Sequence, residues 1–434
     1  MQKEIWRLAI PNILSNITVP LLSMVDAILM GHLNDPKYLG AVAVGGVIFN
    51  FIYWNVGFLR MGTTGLTAQA YGRKDDKNII LLLAQALLVA ISLGIFVLCL
   101  QKPLEIFAFW LVEGSAEVEF LAKQYYQIRI WAAPATIALY AFNGWFLGMQ
   151  NARYLMYVML TINLINIVFS IIFVYLLGMT SEGVAYSTVL AQYTGLGLAV
   201  FLFLKKYTAL LSHFEQKLLW QIANFKHFFA VNSNIFIRTF FLLITFAFFT
   251  LQSAKAGDTV LSANQILLEY LMLMSYFTDG FAFAAESLVG KYIGAKNSEK
   301  LKQSIYYSFR AGFVLAISAT IVYALMGEKL LLLFTENQDI IAQASPYLPW
   351  LILLPIVSMS AYIWDGIYIG ATAAVAMRNT MVASTVLFYL PVYFLLEPYL
   401  GNHALWLALT TFMIARSLLQ TFLAKKYVFA LVEN

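Results

Sequence analysis

Twelve stretches of about twenty or more predominantly apolar residues follow one another along the chain, near 7–32, 38–60, 78–100, 122–148, 154–177, 183–204, 227–252, 259–290, 303–326, 344–371, 377–397 and 403–424. A segment of that length has one stable environment, a bilayer, where only a helix can satisfy every backbone N–H and C=O from within. Only 11% of the residues are charged, against about 25% in a soluble domain. The expectation is therefore an all-α membrane protein with twelve transmembrane helices. Soluble classes are excluded. Spans two, four, eight and ten look longer than a bilayer requires, which implies tilt or projection into water. The start, "MQKEIWRLAIP", has the look of a signal n-region. The apolar run behind it is too long for a cleaved signal and no A-x-A site follows, so it is read as a retained first span. With a single cysteine, Cys99, there is no internal disulfide.

Basic residues set the orientation. The N-terminus, the connections after the even spans and the C-terminus hold eighteen of the 27 Lys and Arg, Arg60 among them. The opposite side holds six: Lys37, Lys102, Lys123, Arg129, Lys255 and Lys329. Both termini are expected in the cytoplasm of a cell with a bacterial-type inner membrane. The net charge of +5 is then a positive-inside signature, and no nucleic-acid partner is needed to explain it.

The chain also repeats itself. "YAFNGWFLG" (140–148) aligns with "YIWDGIYIG" (362–370) at an offset of 222, and the same offset pairs Leu39 with Leu261, Ala41 with Ala263, Leu66 with Leu288, Gly72 with Gly294 and Lys74 with Lys296. No gap separates these distant matches. Two pseudo-symmetric six-helix bundles follow, residues 1–207 and 226–434, joined by a cytoplasmic linker at 208–225. Parallel repeats of this kind build transporters with a site at the repeat interface.

Ionisable residues inside apolar spans are the candidates for function. Asp26 stands alone in span one, about 7–9 Å from its outer end at 1.5 Å per residue; a capping aspartate is the plainer alternative. In span five, Asn163, Asn166 and Ser170 share a helix face. Span six adds Ser187, Thr188 and Gln192, and span four adds Asn143 and Tyr125. Singly, such residues are interhelical glue worth about 0.6 kcal/mol; together they outline a polar pocket in the first bundle. The second bundle carries Arg238, Glu269, Asp279, Glu286 and Asp365. Arg238 has two possible partners, Asp279 and Asp365, and Glu286 is expected to be solvated at the cytoplasmic end. Trp54 and Met149 are candidates to line a substrate cleft.

Several stretches, "GTTGLTAQAYGRKD", "FIRTFFLL", "DGFAFAAESLVGKYIGAKN", "WDGIYIGAT" and "NIVFS", resemble the multidrug and toxic compound extrusion (MATE) family in its DinF-like branch, in order and spacing over essentially the whole chain. The resemblance implies extrusion of organic cations or other amphiphiles, driven by proton or sodium entry. It also implies that an aspartate on the first helix, here Asp26, carries the coupling with residues matching Asn143, Tyr125, Asn166 and Thr188. One position departs from the pattern. The family's Asn-x-x-x-Asp on helix five runs here from Asn166 to Ser170, so the second carboxylate is absent. A sodium ion then meets one carboxylate plus neutral oxygens, a weak set for a hard cation. A lone carboxylate taken out of water holds a proton more readily, which favours protons over sodium. The expected protein is a monomeric efflux antiporter that needs no cofactor beyond its coupling ion, with the bilayer and small amphiphilic or cationic substrates as partners. The alternatives are a sodium-driven antiporter and a lipid-linked saccharide flippase of the same superfamily. An enzyme is not expected, because the non-cytoplasmic loops are short, the four histidines are scattered and no nucleophile-base pair or metal cluster stands out.

Overall fold

The computed structural model describes residues 1–33, 35–111, 115–219 and 221–433, and every regular element among them is helical. Twelve helices are long and apolar enough to cross a membrane: α1 (Gln2–Gly31), α2 (Lys37–Arg73), α3 (Asp76–Cys99), α4 (Ala116–Gly148), α5 (Ala152–Leu176), α6 (Ser181–His213), α7 (Phe225–Lys255), α8 (Asp258–Gly294), α9 (Ser298–Met326), α10 (Gln338–Gly370), α11 (Ala374–Leu400) and α12 (Asn402–Glu433). They form two pseudo-symmetric sets of six. The long helices recur across the repeat: α2 and α8 have 37 residues each, α4 and α10 have 33.

Several helices run beyond the apolar stretches, and two of these boundaries move charged residues. α2 does not end near residue 60; it turns at Gly57, whose N–H bonds to Trp54 O at 3.2 Å, and continues to Arg73. Arg60, expected in a cytoplasmic connection, therefore sits within a helix. α4 starts at Ala116, with the Ser115 hydroxyl accepting from Val118 N–H and Glu117 and Glu119 in the first turn. That cap and the complementary charge at the helix N-terminus start the helix earlier than the apolar run suggests. Lys123 and Arg129, counted among the basic residues of the outer side, lie well inside this longer helix.

The chain divides into two compact units, Leu14–Phe229 and a second formed by Ala230–Asn434 with Met1–Ile13. In the first, α4 is central. Trp145 is fully buried, donates to Ile79 O at 2.9 Å and meets Phe203 and Tyr207 edge-on. The connection after α6 is tied to α3 by Lys77 and Glu215 at 2.6 Å, and that ammonium holds the Glu215 carboxyl below its usual value. In the second unit, a core around Trp406, Phe412 and Tyr389 is stitched by Asn264, which bonds Ser253, Asn402 and Trp406. The first turns of α1 belong here. Tyr292 donates to Glu4 at 2.6 Å and Trp6 meets Phe281 edge-on at 5.2 Å. The sequence halves and the packing units therefore differ at α1.

The repeat is written in the backbone. α2 and α8 are followed by residues in the left-handed region, Lys74 (φ 57°) and Lys296 (φ 49°), and α4 and α10 by Gln150 (φ 60°) and Thr372 (φ 53°). After each left-handed lysine an N-cap opens the next helix, Asp75 accepting from Asn78 N–H and Asn297 from Lys300 N–H. Close helix approach is repeated too. A Cβ on Gly144 would lie 2.4 Å from Arg60 O, and one on Gly366 would lie 2.2 Å from Ala282 O. Arg60 and Ala282 are themselves 222 residues apart.

Candidate functional site

In the first unit, α5 and α6 bring together four of the polar residues. Asn166 Nδ2 donates to Thr188 Oγ1 at 3.0 Å. Thr188 and Ser187 both give their own protons to Val184 O, at 2.9 and 2.8 Å. With the Ser187 proton committed there, Ser170 donates to Ser187 at 2.6 Å and its contact with Asn166 Oδ1 is long, 3.4 Å. All four are buried. The network is neutral throughout, because Ser170 stands where a carboxylate would have made it anionic. Asn163 is also buried, but its Nδ2 has no hydrogen-bond partner; Asn143 donates only weakly, to Met159 Sδ at 3.9 Å, and its Oδ1 is unpartnered.

Asp26 is half-buried on α1, and its Oδ1 is enclosed without a hydrogen-bond partner. No hydrogen bond joins it to the α5–α6 network. Its electrostatic neighbours are on α4: Tyr125, fully enclosed, and Arg129. Arg129 Nη1 donates to the Tyr125 hydroxyl at 2.5 Å, and the guanidinium lies over the Phe49 ring of α2, 4.8 Å from its centroid. Sequence reasoning missed Arg129 by counting it as an orienting charge. The signal was present, since Tyr125 and Arg129 are four residues apart and share a helix face. Trp54 is 51% exposed, and Met149 packs at the edge of the aromatic core around Trp145; neither joins the Asp26 group.

In the second unit the open pairing is decided. Arg238 of α7 forms its ion pair with Asp365 of α10. Arg416 of α12, unassigned from sequence, binds the same carboxylate oxygen at 2.6 Å, and Gln420 donates to the other at 2.9 Å. All four side chains are buried. Asp365 is thus saturated by two guanidiniums and an amide, an arrangement that anchors three helices. Asp279 is half-buried within electrostatic reach of Tyr362 and Tyr276, whereas Glu269 is exposed. Glu286, expected to be solvated, is fully buried. The cause is that α8 runs on past it to Gly294 and packs closely on α10 there, a Cβ on Gly370 lying 2.3 Å from Glu286 O. Among the described residues no three His, Cys, Asp or Glu side chains converge on a common point.

Comparison with known proteins agrees with this architecture. The MatE family model matches residues 11–172 and again 234–395, once in each half. DNA damage-inducible protein F of Escherichia coli is 39% identical over 96% of this chain and 90% of its own length. The probable multidrug resistance protein NorM of Acinetobacter baylyi is 24% identical over 94% of this chain and 92% of its own. A crystal structure of MATE in complex with MaD3S shares the fold, with a TM-score of 0.89 and 21% identity, covering 100% of this chain and 97% of that one. Two matches to one family model, a long relative at well over a quarter identity and a fold shared end to end lead to one conclusion: the chain belongs to the MATE family of multidrug efflux transporters, in its DinF-like branch.

Proposed function

We propose that this chain is a secondary active exporter of amphiphilic or cationic compounds, working as a monomer in a bacterial inner membrane with both termini in the cytoplasm, and that protons drive it. The observation that carries the coupling assignment is Asp26: a half-buried carboxylate with one oxygen enclosed and unpartnered, and no other ionisable residue from Leu8 to Met30. The neutral Asn166–Thr188–Ser170–Ser187 network supports protons over sodium. With no second carboxylate, a sodium ion would have to shed its water for oxygens that carry no net charge, whereas a proton needs only the one carboxylate. In the cycle we propose, Asp26 takes up a proton from outside, the charge that holds a cationic substrate disappears, and substrate leaves. Alternating access then exposes the site to the cytoplasm, where the proton is released. The name of the NorM relative, a probable multidrug resistance protein, supports a polyspecific substrate range.

The test is transport in proteoliposomes under imposed gradients. A proton gradient should drive efflux of a lipophilic cation such as ethidium. Asp26→Asn should lose that response while retaining expression and a monodisperse profile. Undiminished transport by the variant sinks the assignment, and transport by wild type under a sodium gradient alone reverses the choice of ion.

A further inference from the structure

The connection between α3 and α4 contains a helix of its own, Gln101–Leu111. α3 has 24 residues, about 36 Å at 1.5 Å per residue, so it uses up the hydrocarbon core and this short helix begins where the core ends. One face is fastened to α4. Gln101 O accepts from the Tyr126 hydroxyl at 3.1 Å, and both oxygens of buried Glu105 accept from Gln127, at 3.2 and 3.3 Å. Buried Phe109 meets Tyr126 edge-on, with the Lys123 ammonium 5.3 Å over its ring. Residues 101, 105 and 109 are four apart and share this face. They cover about 12 Å yet all meet a single turn of α4 at 123–127, so the helix is inclined across α4. The opposite face is apolar and open. Ile106, Phe107 and Trp110 are each more than half exposed, and the last two rings lie 6.2 Å apart. The second unit repeats the device. Trp110 corresponds at the offset of 222 to Leu332. Beyond α9, Leu330 and Leu331 are buried and Leu330 O accepts from the Tyr270 hydroxyl at 2.6 Å. Leu332, Leu333 and Phe334, which follow, are again each more than half exposed.

We propose that the Gln101–Leu111 helix and the 332–334 turn are interfacial anchors, each laying its apolar face into the outer leaflet at the boundary of headgroups and acyl chains. The choice of leaflet rests on the topology proposed above; the insertion does not. At 11 residues the helix is too short to span a bilayer. Its two faces differ as an in-plane helix requires, the polar contacts turned to protein and the apolar residues turned away. Phe107 and Trp110 are of the residue type that settles at a membrane interface, where the ring is in hydrocarbon and the indole N–H reaches the headgroups. Both patches follow directly on the end of a spanning helix, so the lipid surface they border is the same one that α3 and α9 already cross. The duplication argues for an occupant common to both halves, and lipid is available to each. The anchors thereby hold the outer ends of α3 and α9 at a fixed depth.

The test places a nitroxide at Phe107→Cys, Trp110→Cys and Leu333→Cys, each in a Cys99→Ser background and checked for a monodisperse profile. The proteins are reconstituted in vesicles of phosphatidylethanolamine and phosphatidylglycerol. Power saturation with oxygen and with a water-soluble nickel complex then gives the depth of each label, calibrated against lipids labelled at known carbons. All three labels should lie about 5–10 Å below the phosphates, more accessible to oxygen than to nickel. Nickel accessibility equal to that of a free label in water overturns the proposal. So does spin–spin broadening that disappears on dilution with unlabelled protein, because a second copy of the chain would then cover the face. The leaflet is read separately, by maleimide labelling of Cys99 from outside in the wild-type chain. Labelling from inside alone overturns the outer-leaflet assignment and the topology together, while the depth measurement still decides insertion.

Discussion

Individual residues in this chain divide into those that are saturated and those left short. Asp365 accepts from Arg238, Arg416 and Gln420, so its charge serves structure. Asp26 has an enclosed oxygen with nothing donated to it, so its charge is available to change. The two aspartates should respond in opposite ways to mutation. Asp365→Ala leaves two buried guanidiniums without their anion and should cost about 3–5 kcal/mol, read as a large fall in the thermal midpoint in detergent or as loss of monodisperse protein. Asp26→Asn should leave that midpoint within a few degrees of wild type. Equal destabilisation of the two would remove the distinction. From sequence, both carboxylates stood out because an acid inside an apolar span is costly. Their difference did not, because Arg416 lies 51 residues beyond Asp365 and nothing local shows which carboxylate an arginine inside a span will meet.

At the level of elements, the contacts that hold each unit together are short-range approaches of backbone to backbone. Gly144 lets α4 come against α2, and Gly366 lets α10 come against α8, each with room for a hydrogen and none for a methyl. In a bilayer, where burial of apolar surface does not drive helices together, such small-residue contacts carry the association. Gly144→Ala and Gly366→Ala should each destabilise by about 1–3 kcal/mol through overpacking, with similar shifts in thermal midpoint because the two sites are repeat equivalents. A neutral outcome at both would show that these helix pairs relax freely. The glycines were legible as part of the repeated motif. Their purpose needed the opposing carbonyls, Arg60 O and Ala282 O, which no local pattern announces. Helix ends were legible only in part. α2 and α4 overran their apolar stretches because capping and hydrogen bonding extend a helix through polar sequence once tertiary contacts support it.

For the whole molecule, twelve candidate spanning helices and the bias of Lys and Arg to one side support the proposed topology, with both ends in the cytoplasm. Cys99 provides a direct check. It is the sole cysteine, exposed, and at the end of α3 opposite Asp76. With an internal N-terminus, α3 delivers it to the outer side. A membrane-impermeant maleimide should label it in intact cells or right-side-out vesicles without permeabilisation; protection there, with labelling only after permeabilisation, would reverse the orientation. The first helix is the exception to the tidy division into halves. Its residues up to Ile13 pack with the second unit and those from Leu14 with the first, so the helix that carries Asp26 has its other end fastened by Glu4 and Tyr292. The repeat says nothing of this, because an offset compares residue types and not partners.

What the sequence determined by itself was the number of helices, their solvent, the duplication and the small set of polar residues worth attention. The physical reason is that satisfying the backbone across a bilayer is a local requirement, counted off in segment length, and a gene duplication is preserved as a constant offset. What only the tertiary structure decided was pairing: Arg238 and Arg416 on Asp365, Asn166 on Thr188, Glu286 buried and not solvated. Pairing depends on how each helix is rotated and how far it has slid along its neighbour. A rotation of one residue, about 100°, or a slip of one turn redirects every polar side chain on a helix, and no feature of a single apolar run reports either.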